Sequence, residues 1–508
     1  MPERATPAAS AEREVSRGHS SLAEAGQGGQ PEEARSLWRG EGPNGRESGM
    51  TVSLEGARRQ KSRQLELPLE ARGETPHGQR SGEAPTAANG HGRSGTDRLM
   101  EQVVEHGNVQ AALKRVRQNK GSPGVDGMTV EELPTYLAEH WEHIRAQLLE
   151  GTYQPKLVRA AEIPKSGGGV RTLGIPAALD RVIQQSILQV LQPRFDPTFS
   201  EHSHGFRPGR SAHHAVREAQ QYIQEGKRVV VDVDIEKFFD RVNHDMLMGR
   251  LEKRLADTRL LGLIRRYLEA GIMRNGVVME RYEGTPQGGP LSPLLANVLL
   301  DDVDRELEKR GLSFVRYADD LNVYVRSWRA GREAMEALKR LYGQLRLRIN
   351  EAKSAVARPW DRTFLGYSFW VAPGRRVKRR IAPTALDAMK TRVRGMTARS
   401  GGRSMQAVVA ELRSYLTGWK AYFRLAETPN ILGELDQWVR HRLRMVQLKQ
   451  WKRGTTIYRE MTRLGANEDA ARRVAANARR WWSNSAKLLN SALPSRYYDR
   501  LGVPRLVS

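Results

Sequence analysis

Three carboxylates stand where chemistry could use them. Tyr317-Ala318-Asp319-Asp320 sits between two apolar runs inside Phe314–Val325, and Asp234 follows the β-branched run Arg228–Val233. Adjacent aspartates are common in hairpin turns for local reasons, because Asp tolerates turn geometry and caps backbone amides. A carboxylate at the end of a buried strand is costly unless it is solvated or bound to a cation. If the two strands lie side by side, Asp234 meets Asp319 and Asp320. Three carboxylates gathered in this way repel one another, and divalent cations relieve the repulsion. Phosphoryl transfer uses two such ions, ~3.5–4 Å apart, to clamp the attacking and leaving oxygens. Hard oxygen ligands suit Mg²⁺, so a pair of Mg²⁺ ions on this acidic group is expected.

Other strings could serve the same chemistry. Ile163–Pro176 is a glycine loop between short apolar runs, with Lys165 and Arg171 at its flanks. Two cations on a flexible loop can close over a triphosphate and neutralise it, although a Gly-rich loop alone is weak evidence. Thr285-Pro-Gln-Gly-Gly-Pro-Leu-Ser-Pro-Leu-Leu-Ala-Asn297 reads as a tight turn whose glycines let backbone approach a ligand. A helix then starts, with Ser292 as its N-cap and Pro293 as its first residue. Glu201–Ser211 carries Arg207 and Arg210. His202, His204, His213 and His214 invite a metal reading there, but a helix capped by Ser211 explains the stretch better. Phe238 and Phe239 could both be core, and one of them should be.

Taken together, these strings resemble those of group II intron-encoded reverse transcriptase/maturases. Tyr-Ala-Asp-Asp is similar to the palm motif of reverse transcriptases, and Asp234 with Phe238-Phe239 to their other metal-binding motif. The resemblance implies that Asp234 and Asp319 hold the metals, with Asp320 assisting. It also implies that Phe239 excludes a ribose 2′-hydroxyl and that Lys165 and Arg171 touch the triphosphate. Gln287 and Gly288 would contact nucleotide and template, and Arg207 and Arg210 would grip template phosphates. Leu347–Lys353 and Phe364-Leu-Gly-Tyr367 resemble the motifs that close the palm and support the primer end, which singles out Lys353 and Gly366. The resemblance covers roughly 96–500. It implies an RNA-directed DNA polymerase that uses dNTPs and a DNA primer or target, and that binds its parent group II intron RNA to promote splicing and mobility. Because the chain stops soon after the maturase-like helices, the endonuclease-lacking bacterial class is expected. A retron- or defence-type polymerase, or a splicing factor without catalysis, are the alternatives.

Positioning such a centre calls for alternating strands and helices. Arg228–Val233 reads as a buried strand, Phe314–Val325 as two strands about a polar turn, and Val277–Glu283 as another. Arg332–Leu345 is an amphipathic helix. This pattern predicts an α+β domain over 96–370 with an antiparallel sheet, the fingers and palm of a right-hand polymerase under the resemblance. No strand signal is evident after Val371, so 371–508 is expected to be an all-helical thumb and maturase region. Its helices are read as Pro383–Arg394, Met405–Leu425, Ile431–Arg453 and Glu468–Asn490. Residues 1–95, rich in Gly, Ser, Glu, Arg and Pro, read as a disordered leader.

Charge supports that division. The chain has 508 residues and a net charge of +25, and 371–508 holds 29 Lys+Arg against 9 Asp+Glu, net +20. Such a concentrated surplus points to a polyanion, since phosphate contacts supply much of nucleic-acid affinity. Structured RNA suits a rigid basic helical surface, and Arg413, Lys420, Arg424, Lys452 and Arg453 are the expected contacts. The aromatic stripe Tyr415, Trp419, Tyr422, Phe423 reads mainly as core. With no Cys, disulfides and thiolate zinc sites are excluded. No signal peptide or membrane-length apolar run is seen, so a soluble cytoplasmic protein is expected.

Overall fold

The structure, a computed structural model, describes residues 98–164, 170–274, 277–286, 288–399, 401–486 and 488–507, with only the backbone of Pro164 and Arg171. The leader, Lys165 and Gln287 lie outside the described residues.

The described residues begin with three helices: α1 (Leu99–Val103), α2 (His106–Gln118) and α3 (Leu133–Glu150). In α2 Val109, Ala112, Leu113 and Val116 recur at helical spacing and are buried together. A hairpin follows, β1 (Val158–Pro164) and β2 (Val170–Ile175), and then α4 (Ala178–Phe195). The first turns of α4 are buried on every side, including Asp180. That carboxylate is bonded by the Tyr153 hydroxyl at 2.8 Å, the Tyr267 hydroxyl at 3.2 Å and the Lys156 amide at 3.0 Å. Helix α5 (Ala212–Gln224) starts at Ser211, whose hydroxyl accepts from the His214 amide, so the expected cap is present.

Strand β3 (Val229–Val233) leads to α6 (His244–Glu252) and α7 (Thr258–Glu269). Then come the short β4 (Ile272–Arg274) and β5 (Val277–Met279), followed by α8 (Ser292–Lys309). Next are β6 (Ser313–Tyr317), β7 (Asp320–Val325), α9 (Trp328–Gln344) and β8 (Ala355–Ala357). One sheet runs β2-β1-β4-β5, and a second, all antiparallel, runs β6-β7-β3-β8. Val229, Val231 and Val233 enter one core with α8 and α9, whereas Val230 enters a second core on the opposite face with α5. The alternation of a strand sandwiched between two layers thus explains the unbroken Val run.

The second core continues into the C-terminal region. Strands β9 (Tyr367–Val371) and β10 (Val377–Ile381) form an antiparallel hairpin across the expected boundary at 371. The expectation that strands end there is corrected: Val377 and Ile381 face the core, while the cations between them masked the pattern. Helices follow: α10 (Pro383–Met396), α11 (Met405–Tyr422), α12 (Pro429–Trp451) and α13 (Gly454–Arg463), the last not foreseen. The single helix expected over 468–490 is broken into α14 (Glu468–Ala476), α15 (Trp481–Ala486) and α16 (Leu489–Ala492), before α17 (Ser495–Arg500). The Asn477 carbonyl accepts from the Asn484 side chain at 2.9 Å, closing the bend between α14 and α15. The architecture is α+β, with fingers and palm followed by a basic helical region. Among the described residues no helix is long and apolar enough to cross a membrane.

Candidate active site

Strand register brings the carboxylates together. Val233 on β3 pairs with Leu321 on β7, so the next residue, Asp234, falls opposite Asp320. Tyr317 pairs with Asp320, which leaves Ala318-Asp319 as a two-residue turn. Asp234, Asp319 and Asp320 line one cleft of about 500 Å³. Asp232, Lys353, Asp361, Arg362 and Thr363 share that cleft. Sequence reasoning missed Asp232 and Arg362. The signal for Asp232 was the Asp-x-Asp spacing, which puts 232 and 234 on one face of a strand; nothing local marked Arg362.

Cations already face these acids. The Lys353 ammonium is 3.2 Å from Asp234, and the Arg362 guanidinium is 2.6 Å from Asp232. Ser354 holds the strand end by accepting from the Asp234 amide at 2.9 Å. The Asp320 carboxyl is pushed well above the usual carboxylate range, first by burial and then by the charges of Asp232, Asp319 and Asp234. Burial likewise raises Asp232, against the Arg362 contact that lowers it. A bound divalent cation would favour the ionised form of both groups.

Does the donor set fit metal ions? Among the described residues no three His, Cys, Asp or Glu form a ready cage. Mg²⁺ is usually held by one or two carboxylates plus water and substrate phosphates rather than by an all-protein cage. An open cleft lined by the hard carboxylate oxygens of Asp232, Asp234, Asp319 and Asp320 fits that mode.

The turn is clamped from behind. Ala318 has φ +60°, a left-handed conformation that costs a non-glycine residue ~1–2 kcal/mol. Arg316, fully buried, donates to the Ala318 carbonyl at 2.9 Å and to Asn297 at 2.9 Å. Its Nε reaches Asp304 at 2.8 Å, and its terminal nitrogen reaches the same carboxylate at 2.5 Å. Asn297 donates onward to the Gly205 carbonyl at 3.0 Å. Gly205 lies so close to the turn that a Cβ there would come within 2.2 Å of the Ala318 nitrogen. These four residues were not foreseen. Asn297, Asp301 and Asp304, polar residues at helical spacing on a buried face, were the available signal.

The other expected site residues divide. Phe238 is core, while Phe239 is half-buried and packs edge-on against it. The Phe239 carbonyl accepts from the Thr285 amide at 2.7 Å, which docks the 285–292 turn beside the acids. Within that turn the glycines approach the chain itself: a Cβ on Gly288 (φ +135°) would lie 2.5 Å from the Gly174 carbonyl oxygen. Ser292 is not the N-cap. Leu291 holds that place, and the Ser292 hydroxyl donates to the Pro286 carbonyl at 2.9 Å, closing the turn. Gly366 (φ +76°) forms a tight bend packed on Phe423.

Arg207 requires correction. It is buried, and its donors are spent on Asp196, Ser200 and Ser203, so it braces the fold and offers template nothing. Arg210 pairs with Glu201 at 2.5 Å and is less committed. His202 and His204 both bond Glu218. Two expected RNA contacts also have internal work. Arg413 donates to the Leu501 and Gly502 carbonyls at 2.8 Å, and Lys420 to the Arg505 carbonyl at 2.9 Å. Both fasten the C-terminal segment. Arg424, Lys452 and Arg453 are exposed. Trp419 and Phe423 are buried, as the core reading of their stripe requires.

Residues 163–369 match the reverse transcriptase (RNA-dependent DNA polymerase) family, and residues 386–465 match the group II intron maturase-specific domain. Protein YkfC of Escherichia coli K12 is 33% identical over 53% of this chain and 82% of its own length. The group II intron-encoded protein LtrA of Lactococcus lactis subsp. cremoris is 32% identical over 51% of this chain and 42% of its own. A putative COX1/OXI3 intron 1 protein of Saccharomyces cerevisiae is 26% identical over 61% and 43%. The chain thus spans most of the first relative and less than half of the other two.

Proposed function

Since this chain belongs to the family of group II intron-encoded reverse transcriptase/maturases, we propose that it extends a DNA primer on an RNA template and also binds its parent intron RNA to promote splicing and mobility. The observation that carries the polymerase half is the β3–β7 register, which sets Asp234 against the Asp319-Asp320 turn. In the reaction the primer 3′-oxygen bonds to the α-phosphorus of a dNTP, the bond to the bridging oxygen breaks, and pyrophosphate leaves. Asp234 and Asp319, with Asp320 beside them, would hold two Mg²⁺ ions, which when bound would neutralise charge at the attacking and leaving oxygens.

The chain's own groups do the rest. Lys353 and Arg362 hold cationic charge at the cleft, where triphosphate or primer phosphate can exchange for their carboxylate partners. Phe239 walls the sugar side, leaving a deoxyribose room that a 2′-hydroxyl would fill. By the family resemblance, Arg210, Gly288, Lys353 and Gly366 are assigned to template and primer, and Lys165, Arg171 and Gln287 to the incoming nucleotide. The helical region supplies a basic surface, Arg424, Lys452 and Arg453 among it, for the intron RNA. Binding the folded RNA in preference to the unfolded shifts its equilibrium without any catalytic side chain. The splicing chemistry then belongs to the RNA.

Sequencing the RNA that co-purifies with the protein from its own cells tests the paired reading. One dominant excised intron is expected. A small structured RNA, or a mixed population without an intron, would move the polymerase to a role outside splicing.

A further inference from the structure

The helical region contains a second cleft, far in sequence from the acids. It measures about 670 Å³ and is lined by Arg394 of α10, by Arg399, by Arg442 and Lys449 of α12, and by Trp481 and Trp482 of α15. Among the described residues none of its four cations lies within ion-pair distance of a carboxylate, and no acid lines the cleft. This is unlike their neighbourhood. Arg440 is paired with Asp436 and Asp499, Arg403 with Glu411, and Arg379 with Glu427.

The cations are held in place without being neutralised. Arg442 donates to the Thr397 hydroxyl at 2.6 Å and to the Thr397 and Arg394 carbonyls, all uncharged acceptors. Burial first, then the charges of Arg394 and Arg399, pull the Arg442 guanidinium below its usual range. Arg399 and Lys449 lie over the Trp481 ring, 4.8 and 4.9 Å from its centroid. Trp482 is 46% exposed. It stacks on His441 at 3.7 Å, and its own carbonyl accepts from that imidazole at 2.9 Å. An indole fixed on one side and open to solvent is a ready stacking platform, beside four cations that lack counter-charge.

We propose that this cleft binds one unstacked nucleotide of single-stranded RNA, with its base against Trp482 and the flanking phosphates on Arg399, Arg442 and Lys449. The assignment rests on the reading that the helical region binds RNA, and it makes that reading specific. A duplex keeps its bases inside and could offer only phosphates. A loop or bulge offers both a base face and phosphates, the two chemistries the cleft displays. An acidic peptide would satisfy the cations but leave the indole unused.

The test uses the full chain with its palm cleft saturated by an unlabelled primer–template duplex. The probe is a short single-stranded RNA carrying one 2-aminopurine, compared with the same RNA annealed to its complement. Quenching of the single strand on binding is expected, with much weaker binding by the duplex. Trp482→Ala should weaken single-strand binding about 5- to 100-fold and abolish the quench. Arg399→Gln should leave the quench and lower the salt slope by about 0.7, the share of one phosphate on a single strand. Trp482→Phe, which keeps a ring at an exposed position, should retain most binding and guards against a folding defect. Primer extension should be unchanged in all three variants, so failure here is separable from failure of the polymerase reading. Wild-type affinity and quench in Trp482→Ala would overturn the proposal. So would equal affinity for single strand and duplex, which would mean a phosphate-binding patch alone.

Discussion

Replacing Arg316 should damage catalysis as well as the fold, although Arg316 touches no substrate. Its guanidinium is fully buried, as is the partner carboxylate of Asp304, and its remaining donors hold Asn297 and the Ala318 carbonyl. Removing one member of a buried pair leaves a stranded charge and costs about 3–5 kcal/mol. Lysine keeps the charge but cannot span three acceptors. Arg316→Lys should therefore cost about 2 kcal/mol, in the range for lost buried charge-assisted bonds. The functional effect comes through Ala318, whose strained backbone is released when its carbonyl loses its donor. Asp319 is the next residue, and a displacement of about 1 Å at a reacting centre is worth roughly 100-fold in rate. Arg316→Lys is expected to lower kcat by about 10- to 100-fold and to raise the Mg²⁺ concentration at half-maximal activity. The double variant Arg316→Met with Asp304→Leu removes both charges and should recover much of the stability, since apolar replacement of a buried pair is often neutral, while activity stays low. Urea unfolding and Mg²⁺ titration of primer extension measure both. If the double variant regained activity with stability, or if Arg316→Lys left kcat and Mg²⁺ dependence intact, the network would be a brace for the fold and nothing more.

Gly205→Ala pushes a methyl to within 2.2 Å of the Ala318 nitrogen. It should cost about 1–3 kcal/mol of stability and at least 10-fold in extension rate; unchanged rates would show that the turn tolerates displacement. Phe239→Ala opens the sugar side, and competition between rNTP and dNTP should show rNTP use rising about 10- to 100-fold, the scale of a lost steric contact; an unchanged ratio would assign Phe239 to the core with Phe238. The Asp180 carboxyl, raised by burial from 3.8 to about 6, keeps its proton in the folded chain after the unfolded chain has lost it. Stability from this group is therefore present at pH 4 and lost as pH rises through about 6, by about 3 kcal/mol. Asp180→Asn should remove that slope, so its stability relative to wild type climbs between pH 4.5 and 7.5 in urea unfolding; a difference constant with pH would contradict the assignment.

The clustering of the three carboxylates was legible because its signals are local. A run of valines followed by Asp234, and two apolar runs about a polar turn, dictate strands whose pairing can hardly avoid bringing Asp234 to Asp319 and Asp320. What failed was anything that depended on where a long cation ends up. Arg207, Arg413 and Lys420 read as surface charge, yet each donates to backbone carbonyls that tertiary folding delivers from elsewhere. Arg316 was invisible for the same reason, its partner Asp304 being set by the packing of α8 behind the sheet. Strand β10 was hidden because only Val377 and Ile381 at its ends face the core, and Lys378, Arg379 and Arg380 look like any basic linker. The break between α14 and α15 has no Gly or Pro to announce it and is closed by a bond between Asn484 and Asn477.

The most direct test of the central claim is RNA-templated primer extension by the purified full chain, beside a variant carrying Asp319→Ala and Asp320→Ala. Mg²⁺-dependent incorporation of dNTPs by the wild type, and its loss by several orders of magnitude in a variant that still folds and still binds RNA, is the predicted result. Extension that survives the double substitution would show that the acidic turn is not the polymerase centre.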